Sequence, residues 1–117
     1  MVIRLIAQLS VPAANREKFS AAVAKAVESV RKNEPGTLEF EFHAGEDGLT
    51  FLVQEAYKDA QAYVAHRQNM ASTAAGVMNY CTPNWAAITG PLPPDVVATV
   101  QPKDGAPVYF ATRFAGL

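Results

Sequence analysis

The sequence predicts an α+β domain of the ferredoxin-like, split βαβ plan: an antiparallel sheet with two helices on one face. Apolar residues alternate with period two in several short segments and recur at helical spacing in two longer ones between them. Their order along the chain is β-α-β-β-α-β, with an extra strand near the end. The 117 residues are half apolar, enough for one hydrophobic core, and contain neither an internal repeat nor a linker. One domain over residues 1–117 is therefore expected.

Val2 to Leu9 reads as the first strand, with Ile3, Leu5, Ala7 and Leu9 on one face and Arg4 and Gln8 on the other. From Asn15, an expected N-cap, the period changes to that of a helix. Phe19, Val23, Ala26, Val27 and Val30 form its stripe. Pro35 pushes Glu34 out of the α region, and Gly36 makes the turn. Strict alternation resumes at Thr37, with Leu38, Phe40 and Phe42 facing one way and Glu39, Glu41 and His43 the other. Gly45-Glu46-Asp47-Gly48 connects this strand to Leu49–Ala56, giving a β-hairpin.

Asp59 is placed to cap a second helix to about Asn69, with Ala62, Tyr63, His66 and Met70 along one side. Gly76, Asn79 and Pro83 make the stretch from Ala71 to Pro83 irregular. Trp85–Thr89 reads as a strand closed by Gly90-Pro91, and Asp95–Val100 as a short helix. Lys103-Asp104-Gly105 is expected to turn the chain into a last strand, Val108–Phe114. Two helices cover only one face of such a sheet. Val2, Ile6 and Leu52 point to the other, so a second copy of the chain is the expected cover.

A formal net charge of -1 leaves no basic field for nucleic acid. No stretch approaches the length of a membrane span. Arg4 interrupts the first apolar run, unlike a secretory leader, and Cys81 is the single cysteine, so a reducing cytoplasm is the expected location. A lone thiol in such a setting is read as a small hydrophobe. Glu39, Glu41 and His43 alternate along one strand face at roughly 7 Å intervals, too far apart for one ion, and no metal is expected.

Three segments in order carry a family resemblance: Asn33-Glu34-Pro35-Gly36-Thr37-Leu38, Glu55-Ala56-Tyr57-Lys58-Asp59 and Ala62-Tyr63-Val64-Ala65-His66. From Val2 to Gly90 the chain resembles the antibiotic biosynthesis monooxygenase family. The resemblance implies a dimeric α+β barrel with a site inside each protomer, between the sheet and the second helix. It implies quinol- or anthrone-type oxygenation without flavin or metal, so no cofactor. A haem-degrading branch relies on an asparagine in the first strand and a tryptophan and histidine near the second helix. This chain departs from that pattern, with Gln8 or Ser10 in the first strand and no tryptophan ahead of His66.

His66 is the candidate catalytic residue. Helical geometry puts it in line with Ala62 and Met70 and beside Tyr63, where an imidazole can take a phenolic proton or bond the resulting oxyanion. Tyr57, Tyr63, Tyr80 and Trp85 are candidates for an aromatic wall around a flat substrate, with Met70 and Asn69 completing the binding set. The plainer alternative makes all of them core, and Arg67 a solvated helix charge. The expected reaction is a cofactor-independent monooxygenation of a small phenolic, quinol or anthrone-like molecule by dioxygen. The alternatives are a non-catalytic ligand-binding or stress-associated dimer, and an isomerase or lyase on the same fold.

Overall fold

The computed structural model describes residues 1–73, 75–100 and 105–117. The alternating segments form β1 (Ile3–Ser10), β2 (Thr37–Ala44), β3 (Thr50–Tyr57) and β4 (Thr82–Thr89), and the last strand is β5 (Val108–Ala111). The helices are α1 (Arg16–Asn33), α2 (Ala60–Ser72) and α3 (Pro94–Thr99). The sheet order is β2-β3-β1-β4-β5. The first four strands pair antiparallel as the split βαβ plan requires, but β5 joins β4 in parallel. The sheet is therefore mixed, where a purely antiparallel one is expected from the sequence. Passage through α3 carries the chain back along β4, which a hairpin could not do.

All three helices lie on one face. Phe19 of α1 packs with Leu9, Val11, Phe51 and Val53. Ala62 and Tyr63 of α2 pack with Ile3, Tyr57 and Ile88, joined at the margin by Val96 of α3. The inner positions of β1 are thus Ile3, Leu5, Ala7 and Leu9, as the alternation indicates. Opposite them on β3 stand Tyr57, Glu55, Val53 and Phe51, since directly paired residues share a face.

Several boundaries differ from expectation, each for a local reason. Asn15 does not cap α1 with its side chain. The helix is entered through a 3-10 turn, Ala13–Asn15, and the Asn15 amide donates to the Tyr80 carbonyl instead. The β2–β3 register shifts between Thr37 and Glu39. Leu38 occupies that bulge and is 56% exposed, rather than joining Phe40 and Phe42 against the helices.

Asp59 does cap α2, its Oδ1 accepting from the Ala62 amide at 2.8 Å, and the helix runs to Ser72, past Asn69. β4 begins at Thr82 and includes Pro83, which pairs with Leu9 where β5 does not reach, so the missing N–H breaks no ladder bond on the other side. β5 ends at Ala111, short of Phe114. Of the turn expected at Lys103-Asp104-Gly105, the first two residues lie outside the described residues.

Gly36 fixes how closely the α1–β2 link approaches α2. A Cβ there would lie 2.7 Å from the Ala62 Cβ, so only a residue without a side chain fits. That close approach brings Glu34 over α2.

Candidate active site

Between the two apolar clusters sits a polar centre built on His66. The imidazole is 6% exposed. Its Nδ1 lies 2.8 Å from Oε1 of Glu34, and its Nε2 3.5 Å from Oε1 of Glu55. Phe40 and Tyr57 pack on the ring at centroid distances of 5.0 and 5.3 Å. α2 supplies His66 one turn after Ala62, β3 supplies Glu55 and Tyr57 on its inward face, and the link after α1 supplies Glu34.

The two carboxyl groups have different surroundings. Glu34 is surrounded by donors: Thr37 Oγ1 at 2.6 Å on Oε1 and Asn69 Nδ2 at 2.6 Å on Oε2, besides the imidazole. Glu55 accepts from the Tyr57 hydroxyl. Burial pushes the Glu55 carboxyl above its ordinary value, an effect that the nearby His66 and the Tyr57 hydrogen bond oppose and that the Glu34 charge adds to. Burial likewise raises the Tyr57 and Tyr63 phenols, so both stay protonated donors.

The helix-side face of the sheet is not sealed beside this centre. The paired residues Ala7 and Ala86 lie on this face, yet both remain half-buried, as do Leu5, Met70 and Glu55. These two small side chains stand at the middle of the sheet, between the larger Ile3, Leu9 and Ile88. A separate cleft of about 240 Å³ opens on the Glu34 side, lined by residues that include Pro35, Gly36, Lys58 and Ala62 but not His66.

The residues expected at the site divide in two. His66, Tyr57, Tyr63 and Asn69 come together, Tyr63 packing edge-on against Tyr57 at 5.3 Å, and Met70 lies one turn beyond His66. Tyr80 and Trp85 do not join them. Tyr80 packs against the other cluster, with Phe19 and Phe51. Trp85 pairs with Gln8 on the opposite face of the sheet, three residues from inward Ile88 in an unbroken register, so the alternation of β4 turns it outward. Asn84 donates there to Gln8 and Ser10. Asn69 belongs to α2 and Asn84 to β4. Arg67 is not a free helix charge: it holds the Thr99 hydroxyl and carbonyl, at 2.6 and 3.0 Å, tying α3 to α2.

Glu34 and Glu55 were not foreseen as site residues. Glu34 reads in the sequence only as the residue before a proline. Glu55 carried a signal: an acid at an inward position between Val53 and Tyr57 breaks an otherwise apolar face. Among the described residues no three His, Cys, Asp or Glu side chains are grouped to hold a metal ion. Glu34 and Glu55 approach opposite nitrogens of one ring and so cannot converge on a single ion. On the outer face Glu39 faces Arg4 and Glu41 faces His43, as solvated pairs. Cys81 is half-buried and its thiol is pushed up to about 11 by burial, which keeps it a thiol.

Residues 2–76 match the family model described as antibiotic biosynthesis monooxygenase. Among solved structures, MupZ from Pseudomonas fluorescens is similar over 99% of this chain and 93% of its own, with 21% identity and a TM-score of 0.75. A putative antibiotic biosynthesis monooxygenase from Nitrosomonas europaea is 26% identical over 80% of this chain and 92% of its own, with a TM-score of 0.60. SnoaB, a cofactor-independent oxygenase from Streptomyces nogalater, has 13% identity over 79% and 94%, with a TM-score of 0.60. No curated protein matches the chain.

Proposed function

Because the chain belongs to the antibiotic biosynthesis monooxygenase family, we propose that it is a cofactor-independent monooxygenase of a small phenolic, quinol or anthrone-like substrate, with His66 as base. The observation that carries the reading is a buried histidine with Nδ1 at 2.8 Å from the Glu34 carboxylate and Nε2 at the longer distance of 3.5 Å from Glu55. Such a nitrogen takes the proton of an acidic phenol or anthrone. The electron-rich anion then reduces dioxygen. For an anthrone, the ring CH₂ loses both hydrogens, one oxygen atom becomes its carbonyl oxygen, and the other leaves as water. Substrate would enter over Ala7 and Ala86, with Tyr57, Tyr63, Met70 and Asn69 around the ring. Trp85 would contribute only from the outer face.

The working form in this proposal is a cytoplasmic homodimer of one-domain chains, paired through the outer sheet face that exposes Leu52 and half-buries Ile6 and Trp85. Among the described residues no helix is long and apolar enough to cross a membrane.

A second reading, an isomerase or lyase, is favoured by one specific feature. Glu55, held toward its protonated form, lies 3.5 Å from Nε2, so acid and base stand side by side and can move a proton without dioxygen. Oxygen uptake by metal- and flavin-free protein across a panel of quinols and anthrones tests the first reading. Uptake with one atom of labelled dioxygen incorporated into the product supports it; conversion that proceeds equally without oxygen supports the second, and binding without conversion overturns both.

A further inference from the structure

We propose that Glu34 is a positioning residue that fixes His66 in the tautomer carrying its proton on Nδ1, and so makes Nε2 the proton acceptor. The inference deepens the proton-transfer role given to His66 and rests on that reading for its catalytic consequence, but the tautomer itself is a property of the resting protein.

The geometry decides which way the His66–Glu34 hydrogen bond runs. Oε1 of Glu34 accepts from the Thr37 hydroxyl at 2.6 Å, and Oε2 accepts from the Asn69 amide at 2.6 Å. A carboxylate already taking a donor on each oxygen, with its side chain 2% exposed, offers only acceptor capacity to a third neighbour. The third neighbour is Nδ1 at 2.8 Å, the length of a charge-assisted bond, so Nδ1 must donate.

The cradle is itself held. Asn69 also donates to Ser29 Oγ at 3.1 Å, and Ser29 accepts from Asn33. The backbone of the link is pinned by Glu34 N to the Val30 carbonyl and by Thr37 N to the Glu34 carbonyl. Glu34 therefore cannot swing away to Nε2. On the other side of the ring, Nε2 lies 3.5 Å from a Glu55 oxygen that is also the acceptor of the Tyr57 hydroxyl. Tyr57 satisfies Glu55 without help from the imidazole, leaving the Nε2 lone pair for a substrate proton. A staple that merely joined α1 to α2 would need no particular tautomer. An acid held on Nδ1 with an unclaimed Nε2 is the arrangement that orients a base.

Long-range ¹H–¹⁵N spectra of the resting full-length protein test this directly, with exposed His43 as the internal reference. We expect His66 to show a protonated Nδ1, protected from solvent exchange, and an unprotonated Nε2. Glu34→Gln should bring in the other tautomer, since an amide can donate as well as accept. Glu34→Ala, which leaves Nδ1 without its acceptor, should give a detectable mixture and serves where the first variant does not fold. A wild-type proton on Nε2, or a tautomer unchanged in the folded variants, overturns the proposal. Once a substrate is in hand, Glu34→Gln should lower kcat by about 10²–10⁴-fold while leaving KM within a few-fold. Failure to find any substrate would count against the functional reading and leave the tautomer result standing.

Discussion

Glu55→Gln tests the electrostatics of the site without any substrate. In the folded chain burial holds the Glu55 carboxyl above its ordinary value of 4.5, while in the unfolded chain it titrates normally. The folded state therefore keeps a proton that the unfolded state has released. Its contribution is complete below about pH 4.5 and is lost as pH rises toward the folded value. The slope for one proton is about 1.4 kcal/mol per pH unit. Glutamine does not titrate, yet its carbonyl still accepts from the Tyr57 hydroxyl, so the rest of the site is little changed.

The stability of Glu55→Gln minus that of wild type should accordingly rise with pH, beginning near pH 4.5. Urea unfolding of both proteins at pH 5, 6 and 7 measures that difference, and groups common to both largely cancel. A gain of 1.4 kcal/mol corresponds to roughly 5 °C in Tm for a domain of this size. A difference that stays flat, or closes as pH rises, refutes the assignment of Glu55 as the acid held protonated by burial.

Three further outcomes follow from the same contacts. Tyr57→Phe removes the hydroxyl that satisfies Glu55 and should cost about 1–3 kcal/mol in urea unfolding, with most of the loss suppressed in the double variant carrying Glu55→Leu. Gly36→Ala forces a Cβ to within 2.7 Å of the Ala62 Cβ and should destabilise by about 1–3 kcal/mol, whereas Gly48→Ala, where nothing lies within 4 Å, should pay only for its positive φ. The proposed pairing predicts a dimer for wild type in sedimentation velocity and a monomer for Ile6→Asp and Leu52→Glu on the outer face, with the circular dichroism of the fold retained.

Much of the fold is legible because burial imposes period. The alternation Ile3, Leu5, Ala7, Leu9 places the inner face of β1, and the stripe through Phe19, Ala26 and Val30 places α1. What alternation cannot reveal is a bulge. At Leu38 and at Asn84 one extra residue shifts the register, which exposes Leu38 and brings Pro83 rather than Asn84 opposite Leu9. The parallel pairing of β5 is a long-range choice that no local pattern encodes. At the site, helical spacing links His66 to Tyr63 and Ala62, all on one element. Its partners arrive from β3 and from the link after α1, 11 and 32 positions away, and only tertiary packing brings Glu55 and Glu34 to opposite sides of one ring.

The central claim, that His66 is the base of an oxygen-consuming reaction, is tested most directly by comparing oxygen uptake of wild type and His66→Ala on the same quinol or anthrone, both proteins free of metal and flavin. Wild type should take up oxygen, and the variant should lose about 10²–10⁴-fold of that rate. Equal uptake by the two folded proteins would contradict it.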